Sequence, residues 1–241
     1  MNRTYFGDTR DLFKFDLVRH LMKALPGFES FTFVPMLTEG ESKAARKKSA
    51  TKDMEKAYKT GKAGSQNIDL LSHMERLQEI DDDLEYFRQI ESYFKKERII
   101  IDIIHQKAFS HTHRKKYFDD LYAKFPKKTL IFLDPDIGLE ESTPSEKHLL
   151  FAEVKKIYDH MDPGSVMMIY QHFPRIKHDG YIKNRSNQIH ELTGTMPCTI
   201  TDNEIVFFLL AKNEKRKQQL QDVLEIYANT YPMLDSILCE N

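Results

Sequence analysis

The chain has 241 residues, enough for one large domain or one domain carrying an insertion. Its 36 basic and 37 acidic residues leave a formal charge of -1, which excludes nucleic-acid binding by bulk charge and leaves only a local basic patch as a route to it. No apolar run approaches the ~18 residues of a membrane span. The opening MNRTYFGDTRD lacks the apolar stretch of a signal peptide. Cys198 and Cys239 lie far apart without metal-ligand spacing, so they read as ordinary thiols of a soluble cytoplasmic protein.

Asp11–Leu25 carries Leu12, Phe15, Val18, Leu21 and Met22 at helical spacing and stops at Pro26-Gly27, with Asp8 or Asp11 able to cap it. Ser30–Leu37 (SFTFVPML) reads as a strand ending near Pro35. The stretch Glu41–Lys96 departs from this pattern. It is basic over Lys43–Lys62 and acidic over Glu75–Glu91, and reads as a helical insertion leaving the sheet, loosened around Gly61–Gly64. Two solvated helices of opposite charge would explain it; a basic arm on nucleic-acid phosphates is the sharper alternative.

Arg98–Ile104 (RIIIDII), Thr129–Leu133 (TLIFL) and Ser165–Tyr170 (SVMMIY) are apolar almost throughout, as expected of strands covered on both faces. His113–Lys124 and a helix from an N-cap at Ser145 to His160 alternate with them. Cys198–Thr201 and Glu204–Ala211 form a closing hairpin about Asp202-Asn203, followed by an amphipathic helix over Lys212–Tyr231. The expected architecture is therefore α/β: a Rossmann-like, mostly parallel sheet with helices on both faces, a C-terminal antiparallel hairpin, and a helical insertion after the first strand.

The strongest chemical signal is LIFLDPDIGLE, Leu130–Glu140. A buried strand ends in Asp134-Pro135-Asp136. Pro135 restricts the residue before it, and Gly138 permits a turn that other residues resist. Ligands of open α/β sheets sit beyond such strand ends. The plainer alternative is that Asp134 caps a turn and Asp136 is solvated. Gln171, His172 and Arg175 follow a second buried strand, and Glu39 and Gly40 follow the first, so all belong to the same rim. Near the start, Asp8, Asp11 and Lys14 cluster beside Tyr5, Phe6 and Gly7. They suit either a capped surface helix or a segment folded over a ligand. The histidines His105, His111 and His113 lack firm metal-ligand spacing. Nucleophile elbow, Walker loop and G-x-G-x-x-G are all absent from the sequence.

With Gly7-Asp8-Thr9-Arg10-Asp11-Leu12-Phe13-Lys14 opening a helix and Asp134-Pro135 ending a buried strand, the chain resembles the class I S-adenosylmethionine-dependent methyltransferases. It is most similar to the J-type 23S ribosomal RNA adenine-N6 methyltransferases and their relatives. The resemblance implies an S-adenosylmethionine site bordered by Asp8, Asp11, Lys14, Glu39, Gly40 and His105. It implies catalytic roles at Asp134, Pro135, Asp136 and His172, with nucleic acid held through Lys43–Lys62. Where that family has Asp-Pro-Pro-Tyr, this chain has Asp134-Pro135-Asp136-Ile137, without the ring that stacks on a flipped base. The added acid suits a second reading, a phosphoesterase or nuclease using Mg²⁺ or Mn²⁺. A non-catalytic interaction protein of the same fold is the third.

Overall fold

The computed structural model describes residues 1–38, 53–104, 109–122, 126–174 and 177–237. Seven strands form one sheet: β1 (Ser30–Pro35), β2 (Ile101–Ile103), β3 (Thr129–Asp134), β6 (Val166–His172), β7 (Cys198–Thr201), β8 (Ile205–Ala211) and β9 (Asp235–Ile237). Their spatial order is β2-β1-β3-β6-β8-β7-β9. The pairs β2·β1, β1·β3 and β3·β6 are parallel, and β6·β8, β7·β8 and β7·β9 are antiparallel. The hairpin about Asp202-Asn203 is present, with Asn203 at φ 66° in its turn. A two-stranded ribbon, β4 (Gly138–Leu139) with β5 (His148–Leu149), forms a separate small sheet.

Alternation along the central strands builds two cores. Phe31, Phe33, Leu130, Phe132, Met168 and Phe207 face one side, while Ile131, Leu133, Met167, Ile169, Val206 and Phe208 face the other. The first side is covered by α1 (Thr9–Ala24), α2 (Met54–Lys59), α3 (Ile68–Leu77), α4 (Asp83–Lys96) and α8 (Glu214–Thr230). The second is covered by α5 (Arg114–Tyr122), α6 (Phe151–His160) and α7 (His178–Thr193). Strands buried on both faces are what continuous apolar runs demand.

Several expectations are corrected. The run Arg98–Ile104 shrinks to the three residues of β2, at the sheet edge, with Ile101 and Ile103 half-buried and Asp102 exposed. Ser145 does not cap a helix; its hydroxyl meets His148 Nδ1 at 3.1 Å, and α6 begins only at Phe151. The helical insertion after β1 is present, but its described helices pack on a face of the sheet instead of standing as two solvated helices. Phe87 and Phe94 of α4 pack on Phe33 and Phe31 of β1, with ring centroids 6.2 and 5.0 Å apart. Gly64 adopts φ +84° against Leu12, where a Cβ would come within 2.8 Å of a backbone oxygen. The reading of the two cysteines as ordinary thiols rests in part on Cys239, which lies outside the described residues.

The chain runs from β1 to β2 on one side and returns to β3 on the other, so winding reverses between β1 and β3. A crevice opens at the carboxyl ends of strands at such a reversal. Here Pro35 lies beside Asp134 in register.

Candidate functional site at the switch point

The apolar strand β3 delivers Asp134 to the reversal point with its side chain completely buried (0% exposed). An isolated buried carboxylate is costly, and α1 supplies the compensating charge. Lys14 Nζ lies 3.0 Å from Asp134 Oδ1 and 3.2 Å from Oδ2, and 3.2 Å from Asp11 Oδ1. It also stands 4.3 Å from the centroid of the Tyr170 ring. Asp11 Oδ2 accepts from the Gly7 amide at 3.0 Å and from the Tyr86 hydroxyl at 2.8 Å, which ties the insertion to the site. Burial alone would lower the Lys14 pKa, but Asp134 and Asp11 together outweigh it and hold the ammonium above its ordinary value. Burial pushes Asp134 up, against the pull of Lys14. Lys14 is therefore a buried cation of the site, and the surface role left open by sequence is corrected.

Asp8 is the residue that caps α1. Its Oδ1 accepts from the amides of Arg10 at 2.9 Å and Asp11 at 3.0 Å. Its Oδ2 is buried and accepts nothing among the described residues. Burial, reinforced by the neighbouring Asp11, raises the Asp8 pKa to about 7. Arg10, two residues on, leaves Nε buried without an acceptor among the described residues and lies over the Tyr5 ring at 5.3 Å.

Asp136 occupies the opposite wall. Its Oδ2 accepts from Thr38 Oγ1 at 2.9 Å and Asn2 Nδ2 at 3.2 Å, with Lys147 Nζ at 3.6 Å. Burial works to raise its pKa, but the Met1 amino group, these two hydrogen bonds and Lys147 hold it below the usual range. Residues 1–2 run alongside Thr38, and the Met1 amino group donates to the Asp134 carbonyl at 2.7 Å. Gly138 lets the following loop close onto β6: it adopts φ +139°, and a Cβ there would come within 2.3 Å of Gln171 Oε1. That oxygen accepts from the Leu139 amide at 2.8 Å, which makes Gln171 a buried tie rather than a rim group. His172 stays on the rim, its pKa lowered first by burial and then by Arg10.

These groups enclose a cavity of about 490 Å³. Asp8, Asp11, Lys14, Pro135, Asp136 and His172 line it, all of them expected. Asp134 does not line it; its carboxylate pairs with Lys14, which does. Glu39, Gly40, His105, Arg175 and the part of the basic arm at positions 43–52 lie outside the described residues. Of the remaining lysines of that arm, Lys59 pairs with Glu55 and Lys62 with Glu204. Arg10 and Lys147 add cationic atoms to the wall that sequence reading did not single out. Arg10 carries a sequence signal, lying inside the Gly7–Lys14 segment. Lys147 carries none, being brought in by the β4–β5 ribbon.

The wall thus offers both signs of charge and three rings, those of Tyr5, Tyr170 and His172. Among the described residues, no group of three or more His, Cys, Asp or Glu side chains is placed to hold a metal ion. No helix among them is long and apolar enough to cross a membrane. No family model matches the chain, and no curated protein or solved structure matches it.

Proposed function

We propose that the chain binds S-adenosylmethionine in the switch-point cavity and acts as a methyltransferase on a nucleic-acid or small-molecule acceptor. The observation that carries the reading is a pair of unsatisfied buried atoms of opposite character, Asp8 Oδ2 and Arg10 Nε, in two residues that line the cavity. A buried polar atom without a partner is costly and marks a place that a ligand completes. The methionine end of the cofactor carries an ammonium and a carboxylate, which complement these two atoms in turn.

The cavity volume of about 490 Å³ falls within the roughly 300–1,000 Å³ of small-molecule sites. Tyr5, Tyr170 and His172 supply ring faces for the adenine or the sulfonium. When bound, the cofactor supplies an electrophilic methyl group. The chain's own residues bind and orient it. Lys14 fixes α1 to the end of β3, and Asp8 and Arg10 hold the charged end. Asp136, kept ionised, presents a fixed acceptor near the acceptor molecule's position. The opening segment, the strand-end Asp134-Pro135 and the sheet order support the methyltransferase assignment by resemblance.

Calorimetric titration of the intact protein with S-adenosylmethionine should give micromolar affinity. Asp8→Asn and Arg10→Gln should each weaken it about 10-fold or more, roughly 1.4 kcal/mol per decade. Folded wild-type protein that gives neither heat nor a thermal shift at about 1 mM cofactor, some 4 kcal/mol on the affinity scale, would remove the reading.

A further inference from the structure

A second cavity, of about 450 Å³, shares no lining residue with the first. It lies between the loop at Glu140, Glu141 and Ser142 and the face of α7 that carries Tyr181, Asn184, Arg185 and Gln188. These four fall at i, i+3, i+4 and i+7, one stripe of the helix.

Arg185 is 92% buried, being 8% exposed, yet among the described residues it makes no ion pair. Its Nη1 donates to the Glu140 carbonyl at 2.9 Å and to Gln188 Oε1 at 3.0 Å, and its guanidinium lies over the rings of Tyr181 at 5.2 Å and Phe151 at 5.9 Å. Arg114 shows what such a group ordinarily takes. At 9% exposure it forms a two-pronged pair with Glu153 at 2.5 and 2.6 Å. A buried guanidinium left with neutral partners is the costlier arrangement. Beside it, Tyr181 is also 8% exposed, and its hydroxyl makes no hydrogen bond, although Arg185 comes close enough to restrain the pKa rise that burial causes.

A cation and a hydroxyl with unused donors call for a carboxylate. The rim supplies the opposite sign through Glu140, half-buried, and Glu141, exposed. A plain anion would meet these two acids; a ligand carrying an ammonium next to its carboxylate would satisfy both ends. We propose that this cavity binds a free α-amino acid, its carboxylate on Arg185 and the Tyr181 hydroxyl, its ammonium toward Glu140 and Glu141, and its side chain along Phe151. The proposal does not depend on the methyltransferase reading.

The test is a thermal-shift screen of the intact protein against the proteinogenic amino acids at about 10 mM, followed by calorimetry on the best ligand. At least one should raise the melting temperature. Its deamino and decarboxy analogues should each bind about 10-fold or more weakly. Tyr181→Phe, which keeps the ring and its packing, should cost about 10-fold in affinity, and Arg185→Lys more. Arg10→Gln, which alters only the first cavity, should bind as wild type does. Failure of every amino acid, equal binding of the deamino acid, or unchanged affinity in Tyr181→Phe would overturn the proposal. So would binding lost in Arg10→Gln, which would place the ligand in the first cavity.

Discussion

Asp8 serves two demands that conflict. One oxygen caps α1 and favours a carboxylate at the helix N-terminus; the other is buried without a partner and disfavours it. The second demand prevails, since the pKa rises from 3.8 to about 7. An acid whose pKa is higher in the folded than in the unfolded chain weakens folding only where it must be ionised. The penalty is absent below about pH 4, grows as pH rises towards 7, and is constant above. At about 1.4 kcal/mol per unit, the shift from 3.8 to about 7 sets a ceiling of about 4 kcal/mol. Asp8→Asn keeps a cap of equal quality and loses the charge. Urea unfolding at pH 8 should therefore show the variant more stable than wild type by on the order of 2 kcal/mol, with the gap closing by about pH 4. A variant less stable at pH 8 would mean that Oδ2 is solvated or paired. Stability gained by deleting a charge that ligand binding is proposed to need is the expected signature of a site maintained against folding.

Elements were legible in the sequence where one physical signal dominated. Thr129–Leu133 could only be a covered strand, and the Asp202-Asn203 turn fixed its hairpin. The β4–β5 ribbon has two residues per strand and no periodicity to read, so the sequence around Ser145 resembles a helix start. Helix α7 escaped notice because HDGYIKNRSNQIHELT shows few apolar residues; part of its inward face is the polar Arg185 and Ser186. Arg98–Ile104 misled because an apolar run does not reveal that its strand will lie at a sheet edge. Gly7 illustrates a signal that is legible only in part. Glycine before a cap suggests a turn, but the reason nothing else fits comes from a distant element. At φ +68°, a Cβ would come within 2.5 Å of the Met74 carbonyl oxygen and 3.0 Å of the Gln78 amide, both backbone atoms at the end of α3. Left-handed backbone alone costs alanine roughly 1–2 kcal/mol, and the clash adds to it. Gly7→Ala should lower the unfolding free energy by about 2–4 kcal/mol in urea and weaken ligand binding, because Asp8 and Arg10 ride on the same turn. A loss below about 0.5 kcal/mol would show that α3 shifts freely.

At the scale of the whole molecule, the sheet followed from its buried runs, and the crevice followed from the sheet. The helical character of the insertion is legible in its sequence, but its charge blocks mask the apolar stripes that seat it on the sheet. Leu70, Leu71, Met74 and Leu77, then Tyr86, Phe87, Ile90 and Phe94, form those stripes, and they make α3 and α4 part of the main core. What sequence could not supply was which charges meet across the fold. Lys14 and Asp134 are 120 residues apart, and their contact fastens the opening helix to the central strand. Removing one member of a buried ion pair leaves the other uncompensated, at about 3–5 kcal/mol, whereas removing both with apolar replacements costs far less. Lys14→Met should therefore destabilise strongly, since it removes the cation from beside both Asp134 and Asp11. Asp134→Leu should cost less, since Asp11 still pairs with Lys14. The double variant should cost less than the sum of the two, with a coupling energy of about 2 kcal/mol or more. The Lys14→Met defect should also depend on pH. Without the ammonium, Asp134 takes up a proton more readily, so the variant approaches wild type as pH falls towards 4 and departs most above neutrality. Additive losses with no pH dependence would mean that the two groups are held independently, and that the cavity wall owes its position to packing alone.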